Sequence, residues 1–343
     1  MKTKILEINP KKIDLAKIKI AAEEIKKGKL VAFPTETVYG LGADALNKKA
    51  VAKIFQAKGR PFNDPLIAHI ADTKELYRLY KQVPPVALKL AKAFWPGPLT
   101  LVFKKSELVS GIVTADLDTV AVRMPADNIA LSLIREAKTP IAAPSANLFG
   151  KTSPTTAQHV VDDLSGKIEM IIDGGKTKVG VESTVLDITV EPIRILRAGG
   201  ISLEKLKEVI GQVKMSKELE GGFRSPGMLN SHYSPQAKLI LVEKKGDAQV
   251  EEIRRLASEY IAQGFKAGIM AKEENQNKYD RFEVKVIGKG TELETCAANL
   301  FAILRSFDKE GFEIIIAEGL KEHDLGLAIM ERLRKAAAPK QML

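Results

Sequence analysis

Cysteine is almost absent from this sequence, and its scarcity removes two classes of protein. Among 343 residues there is one cysteine, Cys296, and there are four histidines. One thiol can form neither a disulfide framework nor a thiolate zinc cluster. No histidine is spaced with acidic residues as a fixed transition-metal site requires. We therefore expect a reducing compartment and no metal centre held by protein side chains alone.

Long apolar runs are missing as well. No segment reaches the roughly 18 consecutive apolar residues that a membrane-spanning helix needs. The first residues, MKTKILEINPKK, contain no apolar stretch followed by a small-residue cleavage site, so no secretory signal is visible. We expect a cytoplasmic protein without a membrane partner.

Aromatic residues make up 6% of the chain, and they form no repeated stripe on a strand as base-stacking RNA-binding modules require. Lysine and arginine (53) nevertheless outnumber aspartate and glutamate (43), giving a net charge of +10. Such a charge suits an anionic partner, which includes nucleotides and nucleic acids. An RNA-binding or translation-associated protein without enzymatic activity is therefore an open alternative.

The length of the chain suits two domains rather than one core. Residues 1–212 contain many short strand patterns with irregular links, which predicts an α/β domain with an open mixed sheet. Residues 237–343 alternate between strand and helix patterns, which predicts a small doubly wound domain with a mostly parallel sheet. Residues 213–236 lack periodicity and carry several glycines and prolines, as linkers do.

Local signals place some boundaries within the first domain. Asn47 is a good N-cap for a helix over residues 47–57 that closes at Gly59. Ser153 followed by Pro154 predicts the N-cap and first residue of a helix reaching residue 164. The segment GLGADA at residues 40–45 fits a dinucleotide fingerprint, but the next helix begins too late for one. We interpret its glycines as a tight turn.

A second nucleotide-binding pattern is also incomplete. Gly175-Lys176-Thr177 resembles the end of a Walker A loop, but Met170 occupies the position of its first glycine. Any ATP site in this chain must therefore work without a P-loop.

Seven short motifs combine hydroxyls, carboxylates, a histidine and arginines near strand ends, where α/β sheets place ligand-binding loops. They are PTETVYGLG (34–42), KGRP with PL and a histidine (58–69), TVAVR.P (119–125), PSAN (144–147), ESTV (182–185), LR.G (196–199) and SPGM…HY.P (225–235). Together, and in this order, they resemble the threonylcarbamoyl-AMP synthase family in its long form, a YrdC-like domain followed by a smaller C-terminal domain. The resemblance covers nearly the whole chain.

The resemblance implies an open YrdC-like domain with a concave basic cleft, and a two-part reaction. The amine of L-threonine captures bicarbonate or CO₂ to give a carbamate, whose oxygen attacks the α-phosphate of ATP and expels pyrophosphate. Mg²⁺ arrives with ATP. The product, threonylcarbamoyl-AMP, passes to a separate tRNA threonylcarbamoyl transferase machinery, and weak contact with tRNA itself is left open.

The resemblance also implies site residues, position by position. The L-threonine positions are Thr35, His69, Arg123, Ala143 and Ser183. The ATP positions are Arg60, Asn63, Asp64, Thr119, Ser145, Ser153, Arg197 and Tyr233. Lys58 and Arg60 are the expected catalytic cations beside the phosphates. The family commonly has asparagine directly before Pro-Leu, whereas this chain has Asp64 there and Asn63 before it. Which of the two faces ATP is open.

The length and composition of the linker lead to one further hypothesis. It is long for a passive connection and is not simply rich in glycine and serine. We expect Tyr233 to fold over bound nucleotide, so that the linker acts as a lid that excludes water from the product.

Overall fold

Short strands are interspersed with helices in the first half of the chain. In the computed structural model, which describes residues 1–216 and 233–339, residues 1–149 and 153–216 form one unit, and residues 150–152 and 233–339 form a second. We call these the N-terminal unit and the C-terminal unit. Most of the expected linker, 213–236, lies outside the described residues, so the domain boundaries at 212 and 236 stay predictions.

The N-terminal unit is built on an eleven-stranded sheet in the order β1-β8-β2-β3-β7-β4-β6-β5-β9-β10-β11. Its strands are β1 (Lys4–Glu7), β2 (Val31–Phe33), β3 (Gly40–Asp44), β4 (Ile67–His69), β5 (Leu99–Lys104), β6 (Thr119–Arg123), β7 (Ile141–Ala142), β8 (Met170–Asp173), β9 (Thr184–Asp187), β10 (Arg194–Arg197) and β11 (Lys214–Met215). The sheet contains both parallel pairs, such as β4–β6, and antiparallel pairs, such as β5–β6. The predicted mixed sheet is confirmed.

Helices of this unit cover both faces of the sheet. They are α1 (Leu15–Lys26), α2 (Lys48–Lys58), α3 (Leu76–Leu79), α4 (Pro85–Phe94), α5 (Gly111–Thr114), α6 (Asn128–Ala137), α7 (Ala157–Leu164) and α8 (Leu203–Ile210). Val31 and Phe33 pack in a core with α1 and α6, whereas Leu30 and Ala32 pack in a larger core with α2 and α4. Since successive side chains of a strand point to opposite faces, the sheet lies between these two cores.

Two local predictions had different outcomes. Helix α2 is capped as expected: the Asn47 side chain accepts from the amides of Lys49 and Ala50, and Gly59 closes the helix at φ 63°. The predicted N-cap at Ser153 is wrong, because α7 begins at Ala157 with Thr156 as its N-cap. The Ser153 hydroxyl instead donates to Glu182 Oε1 at 2.5 Å, so a buried side-chain contact outweighs the local capping signal.

The glycine turn expected at residues 40–45 is also wrong, since Gly40–Asp44 is strand β3. A Cβ on Gly42 would lie 2.7 Å from Phe33 Cε1 and 2.8 Å from Ile141 Cγ2. Both contacts are shorter than carbon atoms tolerate. Glycine is needed here because two neighbouring side chains occupy the space of its missing side chain.

The C-terminal unit has a four-stranded parallel sheet in the order β12-β15-β13-β14. Its elements are β12 (Lys238–Val242), α9 (Asp247–Ala262), β13 (Ala267–Lys272), a 3₁₀ helix (Glu273–Tyr279), β14 (Glu283–Gly288), α10 (Leu293–Lys309), β15 (Ile314–Glu318) and α11 (Leu325–Ala337). Helix α9 packs on β13 and β15, while α10 packs on β14 and α11 on β12. The predicted small parallel domain is confirmed. Within the described ranges, every helix is too short or too polar to traverse a lipid bilayer.

Candidate active site

Two loops of the N-terminal unit are joined by backbone hydrogen bonds. The loop between β2 and β3 carries PTETVYG, and the loop after β7 carries PSAN. The Leu41 amide donates to Pro144 O, and the Ala146 amide donates to Tyr39 O, each at 2.8 Å. These bonds fix the two motifs side by side, although about 100 residues separate them in sequence.

The β2–β3 loop is a compact hydroxyl-stabilised turn. The Thr35 hydroxyl donates to Val38 O at 2.7 Å and accepts from the amides of Thr37 and Val38. The carbonyl of Glu36 accepts from the Val179 amide at 2.8 Å. The turn therefore holds Thr35 and Glu36 in the interior at the end of β2, and both are buried.

Strand register brings the expected L-threonine residues together. His69 on β4 is paired with Arg123 on β6, and Arg123 is paired with Thr100 on β5. Residues in register on adjacent strands share a face of the sheet. The Thr100 hydroxyl lies 2.7 Å from the Ser183 hydroxyl, which joins Ser183 to the row. Ala143 follows β7, and its amide donates to Ile67 O at 2.9 Å.

His69 is a neutral imidazole in this row. Burial, together with the adjacent Arg123 guanidinium, lowers its pKa to about 3. Its Nδ1 atom is buried and has no hydrogen-bond partner among the described residues. A neutral imidazole whose Nδ1 has no partner among the described residues can form one hydrogen bond with a ligand without adding charge to the site.

Cations gather around Asp64, at the other group of expected site residues. Arg60 Nη2 lies 2.8 Å from Asp64 Oδ1 and donates to Pro65 O at 2.9 Å. Burial raises the pKa of the Asp64 carboxyl, while Arg60, Lys58 and Arg197 act in the opposite direction. All three cations are themselves buried. Positive charge is therefore concentrated where the phosphates are expected.

Lys58 connects this cluster to the PSAN loop, and Arg197 connects it to the ESTV motif. Lys58 Nζ donates to Ser145 O at 2.6 Å and also to Asn147 O. Arg197 Nη2 donates to Ser183 O at 2.9 Å and lies 3.2 Å from Ser183 Oγ. The Arg197–Ser183 contact joins the expected nucleotide residues to the expected amino-acid residues.

The remaining expected ATP residues differ in their placement. The Asp64 side chain is buried against Arg60, whereas the Asn63 side chain is exposed. Thr119 is buried at the start of β6, and Ser145 is half-buried. An open groove of about 540 Å³ beside the end of α2 touches Lys58 but no other expected site residue, so it is not the predicted site.

Tyr233 belongs to the C-terminal unit. Its ring is buried, lies 5.6 Å from the Phe301 ring, and has the Arg332 guanidinium 5.2 Å from its centroid. Residues 217–232 of the linker that we expect to act as a lid lie outside the described residues. The lid and the contact of Tyr233 with nucleotide stay predictions.

Three residues of the site were not among the sequence predictions. Glu36 lies 2.7 Å from Arg123 Nη2, Thr100 contacts Ser183, and Glu182 accepts from Ser153. Glu36 and Glu182 stand inside two of the quoted motifs, so their charge was a usable signal. Thr100 carries no signal, because a threonine inside a strand is ordinary.

Two family models match the chain. Sua5_yciO_yrdC, described as Telomere recombination, matches residues 23–199. The model described as Threonylcarbamoyl-AMP synthase, C-terminal domain, matches residues 201–338. The first spans the N-terminal unit from the end of α1 through β10, and the second spans α8, β11 and residues 233–338 of the C-terminal unit.

Individual relatives match over almost their whole length. The threonylcarbamoyl-AMP synthase of Pyrococcus abyssi is 51% identical over 330 residues, which is 95% of either chain. That of Bacillus subtilis is 49% identical over 321 residues, 92% of either chain. The crystal structure of P. abyssi Sua5 complexed with L-threonine superposes with a TM-score of 0.93 at 50% identity and covers 98% of both chains. The chain therefore belongs to the threonylcarbamoyl-AMP synthase family, in its two-domain form.

Proposed function

We propose that this protein converts L-threonine, bicarbonate or CO₂, and Mg-ATP into threonylcarbamoyl-AMP and pyrophosphate. The observation that carries the proposal is the contact of Arg197 with Ser183. It joins a cluster of buried cations to the residues that we propose bind the amino acid. The relative from P. abyssi, crystallised with L-threonine, supports the same substrate.

On the amino-acid side, Arg123 suits the α-carboxylate, because a guanidinium matches the two carboxylate oxygens. The neutral His69, whose Nδ1 has no partner among the described residues, suits the threonine hydroxyl, with Thr35 and Ser183 as further proposed contacts. A site built to hydrogen-bond a substrate hydroxyl rejects an analogue without one, since its own buried polar groups would be left unpaired.

On the nucleotide side, Lys58, Arg60 and Arg197 suit the phosphates, with Asp64, Thr119, Ser145, Ser153 and Tyr233 as further proposed contacts. A carbamate oxygen forms a bond to the α-phosphorus, the bond from that phosphorus to the β-phosphate bridging oxygen breaks, and pyrophosphate leaves with its electron pair. Such a transfer asks the protein for positioning and charge neutralisation rather than for a covalent nucleophile. Fixed cations in a buried site supply both.

Mg²⁺ would enter bound to ATP and screen the charge of its phosphates. The described residues contain no group of three His, Cys, Asp or Glu side chains placed to hold a metal. Phosphate and water oxygens would therefore supply most of the magnesium ligands, as is usual for Mg-nucleotides.

The product would be consumed by a separate transferase that modifies tRNA, and we propose the cytoplasm as the place of action. A mixed anhydride of a carbamate and AMP is prone to hydrolysis, so direct use by a nearby enzyme fits its chemistry. Weak tRNA contact through the net positive charge would fade steeply as salt rises.

Pyrophosphate release tests the proposal. With Mg-ATP, the purified protein should release pyrophosphate when L-threonine and bicarbonate are both present, and only at background rate when either is omitted. Equal release without threonine would identify a general nucleotide hydrolase and overturn the proposal.

A further inference from the structure

Glu36 is a buried carboxylate with unused hydrogen-bonding capacity. Its side chain is 6% exposed, and Oε2 lies 2.7 Å from Arg123 Nη2. The two groups are close but not aligned, and neither Glu36 oxygen has a hydrogen-bond partner among the described residues. Arg123 Nη2 is likewise without an aligned acceptor in the described part of the chain. The pair is therefore held by charge alone.

A buried ion pair without hydrogen bonds destabilises the folded protein unless a further group supplies those bonds. A buried carboxylate needs hydrogen bonds as well as a counter-charge to offset the loss of hydration. Its two oxygens can accept about four hydrogen bonds. One donor of Arg123 is already used, because its Nε donates to Gly97 O at 3.3 Å. One positive and one negative group thus stand together, and each can bind more.

A neighbouring acid, Asp127, already accepts hydrogen bonds from the protein. Asp127 Oδ1 accepts from the amides of Ile129 and Ala130 at 2.9 and 3.0 Å and so caps α6. Burial raises the pKa of Asp127, and Glu36 is among the charges that add to the rise. Asp127 and Glu36 are therefore neighbours, but of the two only Glu36 lacks a hydrogen bond to another described residue.

We infer that Glu36 binds the α-ammonium group of L-threonine while Arg123 binds its α-carboxylate. The inference rests on the proposed function. An α-amino acid carries both charges on groups bonded to one carbon, so an adjacent arginine and glutamate match it end to end. The loop that presents Glu36 also presents Thr35, one residue away, to the same substrate. Glu36 would select for the zwitterion rather than for the side chain.

The test compares L-threonine with (R)-3-hydroxybutyrate, which keeps the carboxylate, methyl and hydroxyl groups but lacks the amine. Calorimetry or ligand-observed NMR gives the affinity of each ligand for the full-length protein. The wild type should favour threonine about tenfold or more, the size of one charge-assisted hydrogen bond. Glu36→Gln should lose most of that preference while binding the analogue within about twofold of wild type.

Asp127→Asn is the matched control, because asparagine also caps helices and the change removes one nearby negative charge. It should leave the preference for threonine within about twofold of wild type. An equal loss of preference in Asp127→Asn and Glu36→Gln would show that the overall negative electrostatic field, rather than a contact with Glu36, favours threonine, and would overturn the inference. So would a Glu36→Gln variant that weakens both ligands alike, which would mean that Glu36 acts through Arg123.

Two further outcomes separate this inference from the proposed function. Equal affinity of the wild type for the two ligands would overturn the inference without use of any variant, even if pyrophosphate release depended on threonine as proposed. A wild type that binds no threonine and shows no threonine-dependent release would overturn both.

Discussion

Burial decides the state of single residues in the candidate site. His69 is kept neutral, Asp64 is held against Arg60, and Glu36 is held against Arg123. None of these groups is arranged as a covalent nucleophile with its activating base. Their common property is fixed charge and fixed hydrogen-bonding capacity in a place from which water is largely excluded, which is what a positioning enzyme needs.

The depressed pKa of His69 predicts a specific loss of stability in acid. Its pKa is about 3 in the folded protein and about 6.5 in an unfolded chain. Between these values the unfolded state binds more protons, so the contribution is complete above pH 6.5 and shrinks as the pH falls. From pH 7 to pH 5 the loss attributable to His69 is about 2 kcal/mol.

Trp95 makes this loss measurable. It is the single tryptophan of the chain, it lies in the N-terminal unit, and its indole donates to Leu99 O at 2.7 Å. Urea unfolding followed by its fluorescence should show that His69→Gln loses about 2 kcal/mol less stability than wild type between pH 7 and pH 5. If the free energy of unfolding depended on pH identically in the two proteins, burial would not be what keeps His69 neutral.

Arg60 and Lys53 provide a matched comparison of two cations on one stretch of chain. Arg60→Ala removes a buried cation beside the expected phosphates and the ion-pair partner of Asp64, so both ATP use and thermal stability should fall. Loss of one charge-assisted hydrogen bond corresponds to about 10- to 150-fold in kcat/KM for ATP. Lys53 is exposed and bonded to Gly28 O at 2.6 Å, and Lys53→Ala should stay within about twofold. Similar kinetics in the two variants would reduce the cluster to surface charge.

Among the elements, local signals predicted those strands and helices whose cause is local. The N-cap at Asn47, the glycine after α2 and the apolar run of β6 can each be recognised from adjacent residues of the sequence. Strand β3 was missed because glycine disfavours strands, and its strand state comes from pairing with β2 and β7. The start of α7 was misplaced because Ser153 bonds to Glu182, which is distant in sequence. Helices α4 and α6 were not predicted at all, although Asp127 supplies an N-cap for α6.

The contact between α2 and the PSAN loop predicts a local change in dynamics. Lys58 Nζ holds the carbonyls of Ser145 and Asn147, and the Lys58 carbonyl accepts from the Phe149 amide at 2.9 Å. Lys58→Met keeps the length of the side chain but removes its donors. Amide hydrogen exchange in residues 145–149 should accelerate about tenfold, because one or two buried bonds resist local opening.

Lys53→Met, on the same helix, is the control for that experiment and should leave exchange in residues 145–149 unchanged. Exchange that is equally slow in Lys58→Met would show that backbone pairing alone holds the loop. In that case the proposed role of Lys58 beside the phosphates would not depend on anchoring PSAN.

At the scale of the whole molecule, the sequence predicted two domains, their fold classes and the family. These follow from periodicity and from the order of seven motifs. It could not predict that Gly150–Thr152 groups with the C-terminal unit, where Ser234 N donates to Gly150 O at 2.8 Å and Arg305 donates to Thr152 O at 2.5 Å. Such pairing joins residues far apart in sequence and has no local signature.

We propose that one site joins the carbon of bicarbonate, L-threonine and AMP in one product. Mass spectrometry of the product formed from ¹³C-bicarbonate, L-threonine and Mg-ATP is the direct test. We expect a single adenylate product that contains threonine and the heavy carbon, with pyrophosphate released in equal amount. Adenylate product without the heavy carbon, or pyrophosphate release that continues when threonine is omitted, would contradict it.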